Sequence, residues 1–232
     1  PRSSASPPRW ACCWARLPRQ PALPDERGVF VTGTDTGVGK TVVAALLCLR
    51  LPRAHYWKPI QCGADPSTDR EEVARATGLE PARLLAEAYR LALPASPNIA
   101  AAAAGIRIER ARLHLPAAQG PVVVEGAGGV LVPLNDSETM ADLMAWLALP
   151  VVLVARTALG TINHTLLSLE ALRARGLPIQ GLVLNGEPVP ATTATLRAWG
   201  GVPLLAELPP LPRVNRAILA QAARAWMEPR HG

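Results

Sequence analysis

Nowhere does the sequence approach the 18 or more uninterrupted apolar residues that a membrane-spanning helix needs. Its most apolar stretches, Val122–Val124 and Val151–Ala155, are the length of strands. A soluble chain without a membrane partner is expected. Cysteine is sparse as well: Cys12 and Cys13 are adjacent, Cys48 lies in a stretch of helical pattern, and Cys62 stands alone. That spacing gives neither a disulfide framework nor a CxxC pair for zinc or redox chemistry, and a reducing, cytoplasmic setting is expected. Blocks of like charge are missing too. The formal net charge is +6, but residues 1–27 hold five Arg against Asp25 and Glu26, and the remaining excess is spread thinly. A nucleic-acid face needs its basic groups clustered, so no nucleic-acid partner is expected.

Lysine is the scarcest basic residue. Of the 24 basic side chains only Lys40 and Lys58 are lysine, and the rest are arginine. The compact ammonium of lysine and the planar fork of arginine are not interchangeable. In a chain whose other basic positions are all arginine, the two lysines mark places where a small, mobile cation is needed.

With 232 residues, 49% of them hydrophobic, the chain can bury a substantial core in one domain. Residues 1–27 are rich in Pro, Arg, Ser and Ala, include Trp10 and Trp14, and have no periodicity. They lack the apolar core of a secretory signal, and their prolines oppose an amphipathic transit helix. They read as a disordered extension or a product of gene-start choice, followed by a single domain over 28–228 with no internal repeat or linker.

Apolar runs of strand length alternate with helical patterns through that domain. Strands are expected at Val29–Val31, His55–Lys58 (stopped by Pro59), Pro121–Glu125, Pro150–Ala155, Ile179–Leu184 and Pro203–Ala206. Helices are expected at 40–51, 69–76, 81–89, 99–104, 106–118, 137–149 with Ser137 as N-cap, 161–175 closed by Gly176, 192–199 and 214–227. Continuous apolar strands between helices indicate an α/β fold with a mostly parallel sheet covered by helices on both faces.

Between the first strand and first helix lies Gly33-Thr34-Asp35-Thr36-Gly37-Val38-Gly39-Lys40-Thr41. Glycines there let backbone N–H groups close around phosphate oxygens, and the helix N-terminus adds partial positive charge. Lys40 would reach the β- and γ-phosphates, and the Thr41 hydroxyl would ligate Mg²⁺. The usual G-x₄-GK[ST] pattern is not met strictly, because Thr34 occupies the position it reserves for glycine. Strand, loop and helix together nonetheless predict a single-domain P-loop NTPase.

The wording of this loop resembles that of dethiobiotin synthetases, and further segments agree in order. Trp57-Lys58-Pro59-Ile60-Gln61-Cys62-Gly63 is similar to the family's KPVxxG motif and Ala95-Ser96-Pro97-Asn98 to its SPH-like element. Val124-Glu125-Gly126-Ala127-Gly128-Gly129 is similar to VEGAGG, and Leu159-Gly160-Thr161-Ile162-Asn163-His164 to LGxINH. Leu182-Val183-Leu184-Asn185 is similar to the segment that ends on the base-binding Asn. The resemblance covers Val29 to about Pro210.

It implies an ATP-dependent cyclo-ligase of biotin biosynthesis. CO₂ or bicarbonate and one amine of 7,8-diaminononanoate give a carbamate, ATP phosphorylates it, and the second amine closes the ureido ring with release of ADP and phosphate. An anionic nucleophile attacking an anionic phosphate needs positioning and positive charge above all. The resemblance gives Lys58, Lys40 and Thr36 to catalysis. It gives Gly37, Val38, Gly39, Lys40, Thr41, Val42, Glu125, Gly126, Gly128, Asn185, Glu207, Leu208 and Pro209 to the nucleotide, and Thr41, Asp69 and Glu125 to Mg²⁺. Asp69, after Ser67-Thr68, equally fits a capped helix start. Thr36, Lys58, Cys62 and Gly160, Thr161, Ile162 and Asn163 go to the diamine, the last four from the neighbouring subunit of a homodimer. A plain helix start is the alternative for those four. The chain departs from the family at Cys62, where the family has Ser or Thr, at Asn98 for His, and at Gly37 for an acidic residue of some relatives.

Other classes fit less well. A switch or partitioning ATPase usually has an additional lysine near the loop's start, where this chain has Gly33-Thr34-Asp35. A cobyrinate-type amidotransferase needs a nucleophilic cysteine in a later domain, and no Cys follows Cys62. A catalytically silent regulatory module would not need Lys40, Thr41, Lys58 and Glu125 intact.

Overall fold

The computed structural model describes residues 26–63 and 66–227. The expectations for the N-terminal extension, Cys12 and Cys13 included, lie outside the described residues apart from its last two positions. Strand β1 (Gly28–Gly33) is buried along its whole length. Its side chains alternate between two apolar clusters, Val29 and Val31 on one face and Phe30 on the other. That two-sided burial is why the strand reads as an uninterrupted apolar run.

Six strands form the main sheet: β1, β2 (His55–Trp57), β5 (Val122–Gly129), β6 (Val151–Arg156), β7 (Ile179–Asn185) and β8 (Leu204–Leu208). Their order is β2-β5-β1-β6-β7-β8, and every neighbouring pair is parallel. Helices α1 (Lys40–Arg50), α2 (Asp69–Thr77) and α7 (Arg216–Met227) cover the Val29/Val31 face. The Phe30 face packs against α3 (Pro97–Ala103), α4 (Met140–Leu147), α5 (Thr161–Arg173) and α6 (Pro190–Gly200). The chain leaves β1 toward one side of the sheet and later returns to build the other, so the crevice at β1's carboxyl end is a topological switch point, where such sheets bind ligands. Among the described residues no helix is long and apolar enough to cross a membrane.

Several expected elements differ. No helix spans 81–89: only Pro81–Arg83 forms a helical turn. Leu84 then bridges to Tyr56 and the Leu85 amide bonds the Tyr56 carbonyl at 2.9 Å, so tertiary pairing overrides the local pattern. Tyr89 opens β4 (Tyr89–Leu91), which pairs in parallel with β3 (Ile60–Cys62) in a second, two-stranded sheet. The expected helix 106–118 is reduced to a turn at Arg110–Arg112. There Ile108 and Leu113 are buried separately, and Arg112 lies over the Tyr89 ring while donating to the Ala88 carbonyl.

Helix α3 begins at Pro97, whose missing N–H costs nothing in a first turn. Helix α4 is capped by Thr139 rather than Ser137. Asp142 accepts from the Thr139 amide at 2.7 Å, while the Asn135 side chain takes the Ser137 and Glu138 amides into a tight turn. The strand expected to end at Glu125 runs on through the glycines, and β5 continues to Gly129.

Candidate active site

The loop between β1 and α1 is shaped by glycine backbone. Gly37 and Gly39 have φ of +71° and +98°, values that L-residues with a Cβ rarely adopt. Gly39 occupies the N-cap position of α1 and no side chain caps the helix, which leaves the first-turn N–H groups available to an anion. Asp35 braces the loop: its carboxylate accepts the Thr36 amide at 2.7 Å and pairs with Arg156, at the end of β6, at 2.5 Å. Its carbonyl accepts from Lys40 Nζ at 2.9 Å.

A cleft of about 580 Å³ opens over this loop. Of the expected residues, Thr36, Gly37, Gly39, Lys40, Thr41, Val42, Lys58, Cys62, Asp69, Glu125 and Gly128 line it. They come from the loop and α1, from the carboxyl ends of β2, β3 and β5, and from the first turn of α2.

The cleft floor is a charge cluster. Lys58 Nζ lies 2.5 Å from Asp69 Oδ2 and 3.1 Å from Glu125 Oε1. Thr41 Oγ1 lies 2.9 Å from both Asp69 Oδ1 and Glu125 Oε1, and a hydroxyl, with one proton, donates to only one of them at a time. Burial would lower the pKa of Lys58, but Glu125 and Asp69 outweigh it and hold the ammonium above its ordinary value. Burial would raise that of Asp69, and Lys58 outweighs it in turn. At Lys40 the balance falls the other way: burial, aided by the charge of Lys58, outweighs the pull of Glu125, Asp69 and Asp35 and brings the ammonium down to about 8. Cys62 is pushed up to about 11 by burial, against the pull of Lys58.

Two carboxylates and a hydroxyl converging beside a phosphate-type loop form a hard-oxygen donor set, the chemistry that suits Mg²⁺. Glu125 is 1% exposed, and a buried carboxylate needs cationic or hydrogen-bonding partners. Asp69 fits both of its expectations. Thr68 caps α2 in a capping box with Glu71, and Asp69, the next residue, turns its carboxylate to Lys58 and Thr41.

Other expected residues lie elsewhere. Val38 is buried, and Gly126 packs against Phe30, where a Cβ would come within 2.9 Å of the ring. Asn185 stands behind the loop and donates to the Val38 carbonyl at 3.0 Å. Beside it, Leu208 and Asn185 are register partners, and Glu207 accepts from Thr193 Oγ1 at 2.5 Å. Pro209 follows, buried. Gly160, Thr161, Ile162 and Asn163 open α5 away from the cleft lining, with Gly160 and Asn163 exposed and the Thr161 hydroxyl buried without a hydrogen-bond partner.

Sequence reasoning missed Glu72, Pro94 and Val132 in the lining, and Ala95, Ser96, Pro97 and Ala127 were noted only within motifs. It also missed Gln61, whose side-chain oxygen accepts the Asp69 amide at 3.2 Å. Tyr56 was missed too: its hydroxyl donates to Glu125 Oε2 at 2.8 Å. Burial first, then the charge of Glu125, puts that phenol's pKa well above its ordinary range.

Comparison with known proteins gives consistent similarities. Residues 27–217 match the family model described as an AAA domain. The chain is 53% identical over 192 residues to the ATP-dependent dethiobiotin synthetase BioD of Novosphingobium aromaticivorans, covering 83% of this chain and 92% of that one. It is 51% identical to the protein of the same name from Agrobacterium fabrum, covering 83% and 90%. Among solved structures, a putative plasmid partition protein of Borrelia burgdorferi bound to AMPPNP superposes with a TM-score of 0.53 at 10% identity, covering 88% of this chain and 97% of that one. That likeness is one of fold.

Proposed function

The chain belongs to the ATP-dependent dethiobiotin synthetase family, and on that premise we propose that it closes the ureido ring of dethiobiotin from 7,8-diaminononanoate, CO₂ and ATP. It is a cyclo-ligase of biotin biosynthesis that uses ATP. The observation that carries the detailed reading is the position of Lys58, the second of two lysines, between Asp69 and Glu125 and beside Thr41 of the phosphate loop.

The residues then divide the work. The first-turn amides of α1 offer donors to phosphate oxygens, and Lys40, still mostly protonated at neutral pH with a pKa of about 8, adds a cation there. Lys58 keeps its proton because two carboxylates outweigh its burial. It therefore acts as a fixed positive charge for carbamate and transferred phosphoryl group, not as a general base. The carbamate oxygen attacks the γ-phosphorus and ADP leaves. The second amine then attacks the carbonyl carbon, phosphate leaves, and that amine gives up a proton. Thr36, at the cleft edge, is assigned to the diamine. Thr41, Asp69 and Glu125 would hold Mg²⁺, which when bound would offset the negative charge of the ATP phosphates. Asn185, Glu207, Leu208 and Pro209 are assigned to the base side of the nucleotide.

A homodimer completes the reading. Gly160–Asn163 do not line the chain's own cleft, while Leu159 just before them is fully exposed and Leu167, on the same helix, is 56% exposed. An exposed apolar surface around a helix N-terminus suits a second subunit that presents those amides to the diamine's carboxylate. The free thiols of Cys48 and Cys62 fit a reducing cytoplasm.

The test is phosphate release from MgATP with bicarbonate, with and without 7,8-diaminononanoate, while product mass is followed. Diamine-dependent release with a cyclic urea product is expected. Turnover indifferent to the diamine would overturn the reading.

A further inference from the structure

Glu125 divides its two oxygens between opposite sides. Oε1 faces the cleft, taking Thr41 Oγ1 at 2.9 Å and Lys58 Nζ at 3.1 Å. Oε2 faces the core, where Tyr56 Oη donates to it at 2.8 Å. Tyr56 has no exposure and sits in the apolar cluster beneath α1 and α2. It reaches Glu125 because β2 and β5 are in register: Tyr56 lies opposite Val123, and Glu125, two residues on, points to the same face.

We infer that Tyr56 is a positioning residue for the metal–nucleotide site, holding the Glu125 carboxylate so that a single oxygen is presented to the cleft. This rests on Glu125 serving the metal, as proposed above. A carboxylate has two equivalent oxygens and a nearly free terminal torsion. Left alone it could turn to offer either edge, or both, to a cation or to Lys58. The phenol removes that freedom by occupying one oxygen from a rigid ring locked in packed apolar surroundings. It also satisfies a buried acceptor on the core side, which would be costly to leave unpaired. Outer partners that orient a ligating carboxylate typically matter 10- to 100-fold in metal affinity or activity.

Tyr56→Phe deletes the hydroxyl and keeps the ring. The chain has a built-in control in its only other tyrosine: Tyr89, also buried, accepts the Glu109 amide at 2.9 Å and lies outside the cleft lining. Mn²⁺ binding in the presence of a non-hydrolysable ATP analogue, read by electron paramagnetic resonance of free Mn²⁺, is the direct measurement. Tyr56→Phe is expected to weaken Mn²⁺ on the order of tenfold, Tyr89→Phe to leave it unchanged, and Tyr56→Phe added to Glu125→Gln to cost little beyond Glu125→Gln alone. Wild-type Mn²⁺ affinity in Tyr56→Phe would overturn the inference, as would equal losses in both tyrosine variants. Should Tyr56→Phe not fold, 3-fluorotyrosine labelling replaces it. Mn²⁺ with the analogue should then broaden the Tyr56 fluorine resonance far more than that of Tyr89, and no difference overturns the inference. These readouts need no diamine, so failure of the ring-closing reaction would be seen separately.

Discussion

Lys58 and Asp69 meet at 2.5 Å on the floor of the cleft, the lysine contributed by the segment after β2 and the aspartate by the first turn of α2. The pair is closed on its other side by Glu125, so removing the ammonium leaves two carboxylates facing each other. Lys58→Met should abolish diamine-dependent phosphate release by a factor on the order of a thousand. It should also destabilise the fold by about 3 kcal/mol, the scale for breaking a buried charge pair. Lys58→Arg should not restore turnover, because the planar fork cannot replace a compact ammonium. Wild-type turnover in Lys58→Arg would show that only the charge matters.

Lys40 sets a pH dependence for nucleotide binding. With a pKa of about 8 in the free chain, it is protonated below that value and neutral above it, whereas bound phosphates favour the charged form. Affinity should therefore fall as pH rises through about 8, by up to about tenfold per pH unit, with net proton uptake on binding. Calorimetry in buffers of different ionisation enthalpy measures that uptake directly. Lys40→Met should weaken binding and flatten the slope; an unchanged slope would assign the titration to another group.

Gly39 and Asn185 are coupled. A Cβ at Gly39 would lie 2.1 Å from Asn185 Nδ2, on a backbone with φ of +98°. Asn185 could swing aside only by releasing the Val38 carbonyl. Gly39→Ala should cost about 2 kcal/mol in stability and weaken nucleotide binding at least tenfold. Asn185→Ala on that background should relieve the clash but not the backbone strain, so the two effects should not add. Thermal unfolding of the single and double variants checks this; simple additivity would contradict the coupling.

Cys62 lines the cleft with its thiol pushed up to about 11, so very little thiolate exists at neutral pH. Alkylation by iodoacetamide should be slow at pH 7 and accelerate toward pH 11, against the behaviour of an activated cysteine. Cys62→Ser should preserve the fold and lower the KM for the diamine by about fivefold, since a hydroxyl is the stronger hydrogen-bond partner. An unchanged KM would remove this position from the substrate contacts.

How much of this was legible depended on length and on pairing. The loop from Gly33 to Thr41, flanked by a fully buried strand and an 11-residue helix, declares itself, because strand, glycines and lysine are all local. Strands β3 and β4 were not readable. Three residues carry no periodicity, and what makes Ile60–Cys62 a strand is Tyr89–Leu91, almost thirty positions away. The stretch 81–89 has a helix-like spacing, yet Leu84 and Leu85 are claimed by Tyr56. Glu125 was found from its motif, but its partner Tyr56 looks like any core aromatic in a strand. Only the register of β2 on β5 shows that its hydroxyl has a target.

The placement of β5 between β1 and β2 also bears on how the molecule is made. Translation delivers β1 and β2 first, yet they never touch through hydrogen bonds. Each waits for a strand that begins at Val122, and β1's other edge waits for Val151. A chain still on the ribosome with only its first hundred residues exposed therefore holds Lys40, Lys58 and Asp69 without the carboxylate that organises them. Domains tend to fold as units during synthesis, and parallel pairing at this sequence separation is slow. The cleft thus comes into being late and all at once, when β5 slides home, and a nascent chain stalled short of it should gain no protection from nucleotide.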